Sequence, residues 1–415
     1  MAFNTSLSGL NAAQSDLDVT SNNISNSETV GFKNSRAEFA DVFASSQLGV
    51  ASNAIGQGVR LNNVAQQFTQ GQFDFTGNSL DLGINGEGFF RMSDQEGAIS
   101  YTRNGAFQID ENGTIVNADG LQLTGYPADN NGNIGGNLAP LQVNTGNIEP
   151  QATGGMTVNA NLTSEADEID QTANPFDATD PETYNFSTST TVYDSQGGAH
   201  EANFYFTHTD DAANEWGVNV RVDGQAPDNF SDQQTLTFNN DGSYAGIADA
   251  SGDPENDPYQ FNLGGGIDPI VADIDFSDTT QFGTPSAVNE LNQDGYEAGE
   301  FAGLEVAENG TIFGRYTNGE SQAMGQVPLA RFPSEQNLTP QGDNMWTESA
   351  ESGAPIVGAP GTSGLGGVEG GALEQSNVDI TAELVNMITA QRNFQANAQM
   401  ISTQDQVTQE ILNIR

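Results

Sequence analysis

The side chains best suited to chemistry are few and poorly arranged for it. His200-Glu201 begins as a zinc-peptidase helix does, but the position four residues after His200 is Phe204, so no second ligand follows one turn later. His200 and His208 have even spacing and would share one face of a strand, where they read as exposed strand histidines. The chain has no cysteine, which removes thiolate nucleophiles, disulfides and Cys-ligated zinc or iron–sulfur centres. No serine occupies a Gly-x-Ser-x-Gly elbow, and the single lysine, Lys33, has Val30 rather than a serine three positions before it. Asp253, Glu255 and Asp257 alternate as hard-oxygen ligands could, and Asp129-Asn130-Asn131-Gly132-Asn133 has the form of half a calcium loop. Neither is closed by a correctly placed bidentate glutamate, so both read as solvated turns. The expectation is a protein that is not an enzyme, with no catalytic, cofactor or metal site.

Charge narrows the partners. The 415 residues hold 56 Asp plus Glu against 10 Lys plus Arg, a net charge of −46. A surface of that sign repels phosphate backbones and anionic membranes, so nucleic acid and membrane docking are both excluded. From Glu165 to Glu308 there are 30 acids and one base, Arg221, for a net of −29, which marks the middle of the chain as a separate, solvent-facing unit. Met1-Ala2-Phe3-Asn4-Thr5-Ser6 is followed by no basic residue before Lys33 and no apolar run of signal-peptide length, so ordinary secretory export is not encoded there. No stretch approaches the roughly 18 apolar residues of a membrane helix.

The two ends differ from everything between them. Phe3, Leu10, Leu17 and Ile24 recur every seven residues with Leu7 a half-step between, which lays an apolar stripe along a helix whose complementary positions fall to Gln14 and Ser21. Ile380, Met387, Phe394 and Ile401 repeat the interval, with Leu384 and Ala398 in the second seam position and Gln391 interrupting it. Val407, Ile411 and Ile414 continue after a shift of phase. Such helices could pack on a globular core, but narrow, polar-interrupted stripes at the termini point to helices that fold on partners.

Between the ends the pattern is β. Leu80-Asp81-Leu82-Gly83-Ile84 alternates, Asn85-Gly86 turns and Phe89-Phe90-Arg91-Met92 follows. Asn104-Gly105, Asn112-Gly113 and Asp119-Gly120 then punctuate a meander, and such dipeptides suit two-residue hairpins in which both central residues take positive φ. Val306–Phe313 echoes Ile109–Val116, which reads as shared hairpin chemistry. In the acidic middle, strands are expected over Thr188–Tyr193, Ala202–Phe206, Trp216–Val222 and Leu236–Phe238, with a turn at Asp241-Gly242. Eight glycines among residues 353–371 predict a flexible or irregular tether.

Ser8-Gly9-Leu10-Asn11-Ala12-Ala13, Ser21-Asn22-Asn23-Ile24-Ser25-Asn26 and Val30-Gly31-Phe32-Lys33 resemble the N-terminal signature of the bacterial flagellar rod and hook proteins. Gly370-Gly371-Ala372-Leu373-Glu374-Gln375-Ser376-Asn377-Val378-Asp379 and Glu383–Asn393, which ends in Gln391-Arg392-Asn393, resemble the C-terminal one. Tyr101–Gly105 through Leu123–Tyr126 is similar to the family's first β segment, while Thr191–Gly197 and Gln341–Trp346 favour its hook branch. The resemblance is weakest over residues 226–287.

The resemblance implies a mainly β chain with terminal α-helices, nested so that both helices form a coiled-coil inner tube and two β domains project outward. The divisions it suggests are an axial helix and turn (1–44), a linker (45–71), an inner β domain in two parts (72–147 and 299–352), an outer acidic β domain (148–298), a Gly/Pro-rich linker (353–371) and a C-terminal axial helix (372–415). Carried over, the assembly seam is Phe3, Leu7, Leu10, Leu17, Ile24, Ile380, Leu384, Met387, Phe394 and Ile401, and the motif residues are Asn22, Asn23, Gly31, Phe32, Gln391, Arg392 and Asn393. The implied function is that of a hook subunit, self-assembling into a curved hollow tube that transmits torque as a universal joint outside the cell. Implied partners are further copies of the chain, the rod at one end, the hook–filament junction proteins at the other, and the hook cap and type III export apparatus during assembly. A distal rod protein shares the end motifs but is expected to lack the long β insertion. A secreted calcium-dependent β-rich protein would leave the terminal heptads unused.

Overall fold

Glycine-centred turns close many of the hairpins, and their chemistry sets the β architecture. In Gly113, Gly120, Gly242, Gly310 and Gly319 φ lies between 78° and 88°, while the Asn or Asp before each stays out of the left-handed region. The expectation of two left-handed residues per turn is therefore corrected. At Asp110–Thr114 the Gly113 N–H donates to the Asp110 carbonyl at 3.1 Å, and the Asp110 carboxylate accepts the N–H groups of Asn112 and Thr114, both at 2.8 Å. The carboxylate caps a longer loop in which only the glycine must be left-handed. The echo shares the backbone turn but not the carboxylate cap, since Ala307 stands where Asp110 does: the Gly310 N–H donates to the Ala307 carbonyl, and Val143 and Val327 donate to the Gly113 and Gly310 carbonyls at 2.7 and 2.8 Å.

The computed structural model describes residues 2–42, 56–129, 131–210, 213–228, 233–248 and 258–413. Helix α1 (Ala2–Ser25) opens the chain and α2 (Ile380–Asn413) closes it, and the strands lie between. The chain divides into two compact units: Met1–Thr145 with Gly303–Arg315 and Ser321–Arg415, and Gly146–Ala302 with Tyr316–Glu320.

In the first unit, β1 (Ser35–Asp41) and β2 (Val59–Gln66) form an antiparallel hairpin beside α1. The latter half of the sequence predicted as a linker over 45–71 is thus strand, and residues 43–55 lie outside the described residues. Next come β3 (Phe73–Phe75), β4 (Leu82–Asn85), β5 (Phe89–Ser93) and β6 (Ile99–Thr102). β5 and β6 pair in a sheet extended by Gln122–Pro127 on one side and Met345–Thr347 on the other. Alternation puts Phe89 and Tyr101 into a core with Phe332 and Trp346, where the rings meet edge to face, 4.8 Å between centroids for Tyr101 and Phe332.

The tether expected over 353–371 is corrected. Ile356–Gly358 pairs with Leu329–Arg331, Gly367–Gly370 pairs antiparallel with β4, and Ala372–Glu374 pairs with β3. The glycines serve close approach rather than freedom. A Cβ on Gly366 would stand 2.4 Å from the Asn85 carbonyl oxygen, and one on Gly370 would stand 3.0 Å from that of Val306.

The second unit is built as the alternation predicts. Phe186–Tyr193, Ala199–Asp210, Glu215–Val222, Gln234–Phe238 and Tyr244–Ala248 form a five-stranded antiparallel meander. Gly155–Thr163 runs between Ile270–Asp275, Thr280–Phe282 and Ala287–Gln293 in a second sheet. Phe204, Phe206, Trp216 and Val220 from the first sheet and Val158, Leu162, Phe261 and Ile270 from the second share one buried core.

Candidate functional site

The two terminal helices pack along each other in opposite directions. The Asn397 amide lies 2.7 Å from where a Cβ on Gly9 would stand, and nearer the other end of the pair Asn23 donates to the Glu383 carboxylate at 3.4 Å. In α1 the buried residues are Ser6, Ala13, Thr20 and Asn23, and Leu10, Leu17 and Ile24 are half-buried. Within the chain, the second contact position therefore falls three residues after the apolar series, not four. Phe3 and Leu7 are exposed (43% and 40%), as are Gln14 and Ser21. α2 follows the same rule: Glu383 and Ala390 are buried, and Met387, Phe394, Asn397, Ala398, Ile401 and Gln404 are half-buried. Leu384 (46%), Ile380 and Gln391 are exposed. On α1 large residues at one heptad position are followed three later by the small Ser6, Ala13 and Thr20, which leave room for the side chains of α2. Leu7 and Leu384 thus lie outside the intrachain contact, and the sequence reading missed Ser6, Ala13 and Thr20, whose seven-residue spacing was the available signal.

Outside this contact the helices keep further apolar groups in water. Val385, Ile388, Met400, Val407 and Ile411 are exposed on α2, and Ile414 lies outside the described residues. Arg392 and its neighbours Gln391 and Asn393 are exposed as well.

The remaining motif residues converge where the two chain ends meet the sheet. Asn23 clasps β1 from both sides, donating to the Ser35 carbonyl at 2.7 Å and accepting the Ser35 N–H at 2.9 Å. Asn22 is exposed and its carbonyl accepts the Asn26 amide. Gly31 has φ 69°, and a Cβ there would lie 2.6 Å from the Asn104 nitrogen. Its N–H donates to the Glu374 carbonyl at 2.8 Å. Phe32 is half-buried. Lys33 is wholly buried, 2.7 Å from Glu374 Oε1, while Arg103 reaches Glu374 Oε2 at 3.2 Å. Burial strips water from the Lys33 ammonium and Arg103 repels it, so its pKa falls below the ordinary lysine range despite Glu374. Asn377 completes the junction, accepting the Asn34 N–H and donating to the Gln67 carbonyl, both at 2.8 Å. Glu374 and Arg103 were not singled out from sequence. The one signal was a rare basic residue inside a signature block of a strongly acidic chain.

The groups considered for chemistry are otherwise engaged. His200 is not an exposed strand histidine: its ring bridges Asp223 Oδ2 at 2.7 Å and Asp194 Oδ2 at 3.0 Å. Burial lowers its pKa, but the bonds and charges of both carboxylates outweigh that and raise it above the ordinary value. His208 is fully buried, stacked on Trp216 at 5.0 Å. The Asp129 carboxylate accepts the N–H groups of Asn131 and Asn133 in its own loop. Asp253, Glu255 and Asp257 lie outside the described residues.

Paired terminal helices joined to an otherwise β chain are the arrangement expected of the flagellar rod and hook class. Residues 3–33 match the family described as flagella basal body rod protein, 83–164 the flagellar hook protein FlgE/F/G D1 domain, 159–296 the flagellar basal body protein FlaE D2 domain, and 369–414 the flagellar basal body rod FlgEFG protein C-terminal region. The chain is 39% identical over 421 residues to the flagellar hook protein FlgE of Salmonella typhimurium, with all of both chains covered. It is 38% identical over 418 residues to that of Escherichia coli, again over full length, and 32% identical to that of Borreliella burgdorferi, with 99% of this chain and 98% of the relative covered. The crystal structure of Helicobacter pylori flagellar hook protein FlgE2 has the same fold over 71% of this chain and 99% of that one, with a TM-score of 0.55 at 14% identity. The chain belongs to the flagellar hook protein FlgE family, and it is a structural subunit rather than an enzyme.

Proposed function

We propose that α1 and α2 form the wall of an inner tube built from many copies of this chain, with the two β units projecting from it as inner and outer domains. The observation that carries this reading is the second set of apolar residues. The helices meet through one heptad face, yet Phe3, Leu7, Ile380, Leu384, Val385 and Ile388 remain in water within one chain. Neighbouring copies cover them in the polymer, which makes Gln391, Arg392 and Asn393 contacts between copies as well. Apolar area left exposed at that density is a surface for partners. The tube is a curved extracellular hook, transmitting torque as a universal joint between the rod and the junction proteins below the filament. The export apparatus supplies its subunits and the cap seats them. Few apolar anchors and many polar surfaces suit outer contacts that slide as each row lengthens and shortens around a turn. Electron microscopy of the purified, concentrated protein tests the reading: curved hollow tubes are expected, and a protein that stays monomeric under all assembly conditions contradicts it.

A further inference from the structure

Three ions lie out of contact with water in the first unit, and their origin in the chain is lopsided. Lys33 and Arg103 come from its N-terminal part, whereas Glu374, the carboxylate bonded to both, comes from the last strand before α2. Side-chain exposure is 0% for Lys33 and Glu374 and 2% for Arg103. Among the described residues each cation has one further acceptor, the Thr69 carbonyl for Lys33 at 2.8 Å and the Gly86 carbonyl for Arg103 at 2.9 Å. The Arg103 guanidinium also lies over the Phe89 ring at 5.3 Å, and its Nε is buried without a partner among the described residues. Neutral acceptors ease the desolvation but leave the charge uncompensated. Glu335, a second carboxyl group whose field reaches both cations, also arrives late in the chain and bonds to neither among the described residues.

We propose that Glu374 is a latch: the first unit closes around Lys33 and Arg103 only once the C-terminal strand has delivered this carboxylate, so a chain whose C-terminal segment is still absent stays open. An ammonium or a guanidinium buried without a counterion costs several kcal/mol, a large part of the total stability of a domain. The same residue draws in two more segments, because its carbonyl accepts the Gly31 N–H and its carboxylate the Gly71 N–H, both at 2.8 Å. Its use follows if the chain emerges in sequence order from a narrow channel, because the part delivered first cannot close before the rest has followed. That use rests on the hook reading; the latch itself does not.

Hydrogen exchange on the full-length chain tests it. In Glu374→Gln, which keeps the strand and the side-chain shape, amides of β4, β5 and β6 should exchange about a hundredfold or more faster, while those of Ala199–Asp210 and Glu215–Val222 are unchanged. Adding Lys33→Met and Arg103→Met to that chain should return protection to within roughly tenfold of the original, because no charge then stays buried. In pulse-labelled refolding of the unaltered chain, β5 and β6 should become protected in the same phase as Ala372–Glu374. Unchanged protection in Glu374→Gln, a triple variant no better than the single one, or earlier protection of β5 and β6 would each overturn the latch. Absence of tubes from the unaltered protein would instead remove its use in export and leave these outcomes standing.

Discussion

The two units hold themselves together by different means. The acidic unit, residues 146–302 with 316–320, buries Phe204, Phe206, Trp216, Phe261 and Phe276 between two sheets. The unit that carries both helices has an aromatic cluster too, but the return of its chain is fixed by close-packed glycines, by Asn23 and Asn377, and by the Lys33–Glu374–Arg103 cluster. Apolar burial is forgiving of sequence detail, whereas buried ions and backbone contacts at glycine tolerate almost none. The difference teaches which unit tolerates substitution better: the motif residues Asn23, Gly31 and Lys33 and their partners all sit in the unit held by ions and glycines.

The sharpest way to break this contrast is in the apolar core. Phe206→Ala should cost the acidic unit about 3–5 kcal/mol, seen as a lowered melting transition, with the other unit's transition unmoved. Gly366→Ala should do the reverse at about 2 kcal/mol, because the new methyl group meets the Asn85 carbonyl oxygen and backbone must shift. A common transition affected equally by both variants would show that the units do not unfold separately.

Electrostatics sharpens the comparison. With a net charge of −29 over residues 165–308, neighbouring copies repel one another, and screening shortens from roughly 10 Å at 0.1 M salt to about 3 Å at 1 M. Polymer yield should therefore rise severalfold between about 0.05 M and 1 M salt. A flat or falling yield would leave the acidity as a solubility device.

The smallest expected effect is at His200. Its raised pKa contributes stability that is complete below about pH 6.5 and is lost as pH rises through the raised value. Its hydrogen bond holds the Asp223 carboxyl below the usual range, and Asp194 is lowered as well, because bonds from His200 and two backbone N–H groups outweigh its burial. Their contribution is present above about pH 4 and is lost as pH falls through the lowered values. The acidic unit should thus melt highest between about pH 4 and 6.5, and His200→Gln should remove about 0.5–1 kcal/mol there, a modest figure because Asp223 is half exposed and screened.

What was legible in the sequence follows from range. Strands such as Trp216–Val222 announce themselves by alternation, and the terminal helices by their seven-residue repeats. The contact within the chain was not legible because its second position carries Ser6, Ala13, Thr20 and Glu383, which make no conspicuous apolar pattern beside Leu7 and Leu384. Residues 353–371 read as a tether because glycine signals either freedom or close approach, and only the partner strand, far away in the chain, decides which. The pairing of Lys33 with Glu374 spans 341 residues and leaves no local pattern. The junction also revises the expectation of amide protection in a lone subunit. Terminal segments that fold only on partners would exchange fast over residues 1–70 and from about 360 onward, yet strands and ions hold Gly367–Glu374, so on the C-terminal side exchange should be fast only beyond Asn377.

The central claim is that apolar groups outside the α1–α2 contact join one copy to the next. Leu384→Asp tests it most directly, because Leu384 is 46% exposed in the single chain and a charge there should leave the monomer's melting unchanged. In a polymer the same carboxylate would be buried unpaired in every copy at several kcal/mol each. Electron micrographs of the variant should show no tubes under conditions where the unaltered chain forms them. Tubes of normal yield and shape would show that this face does not join the copies.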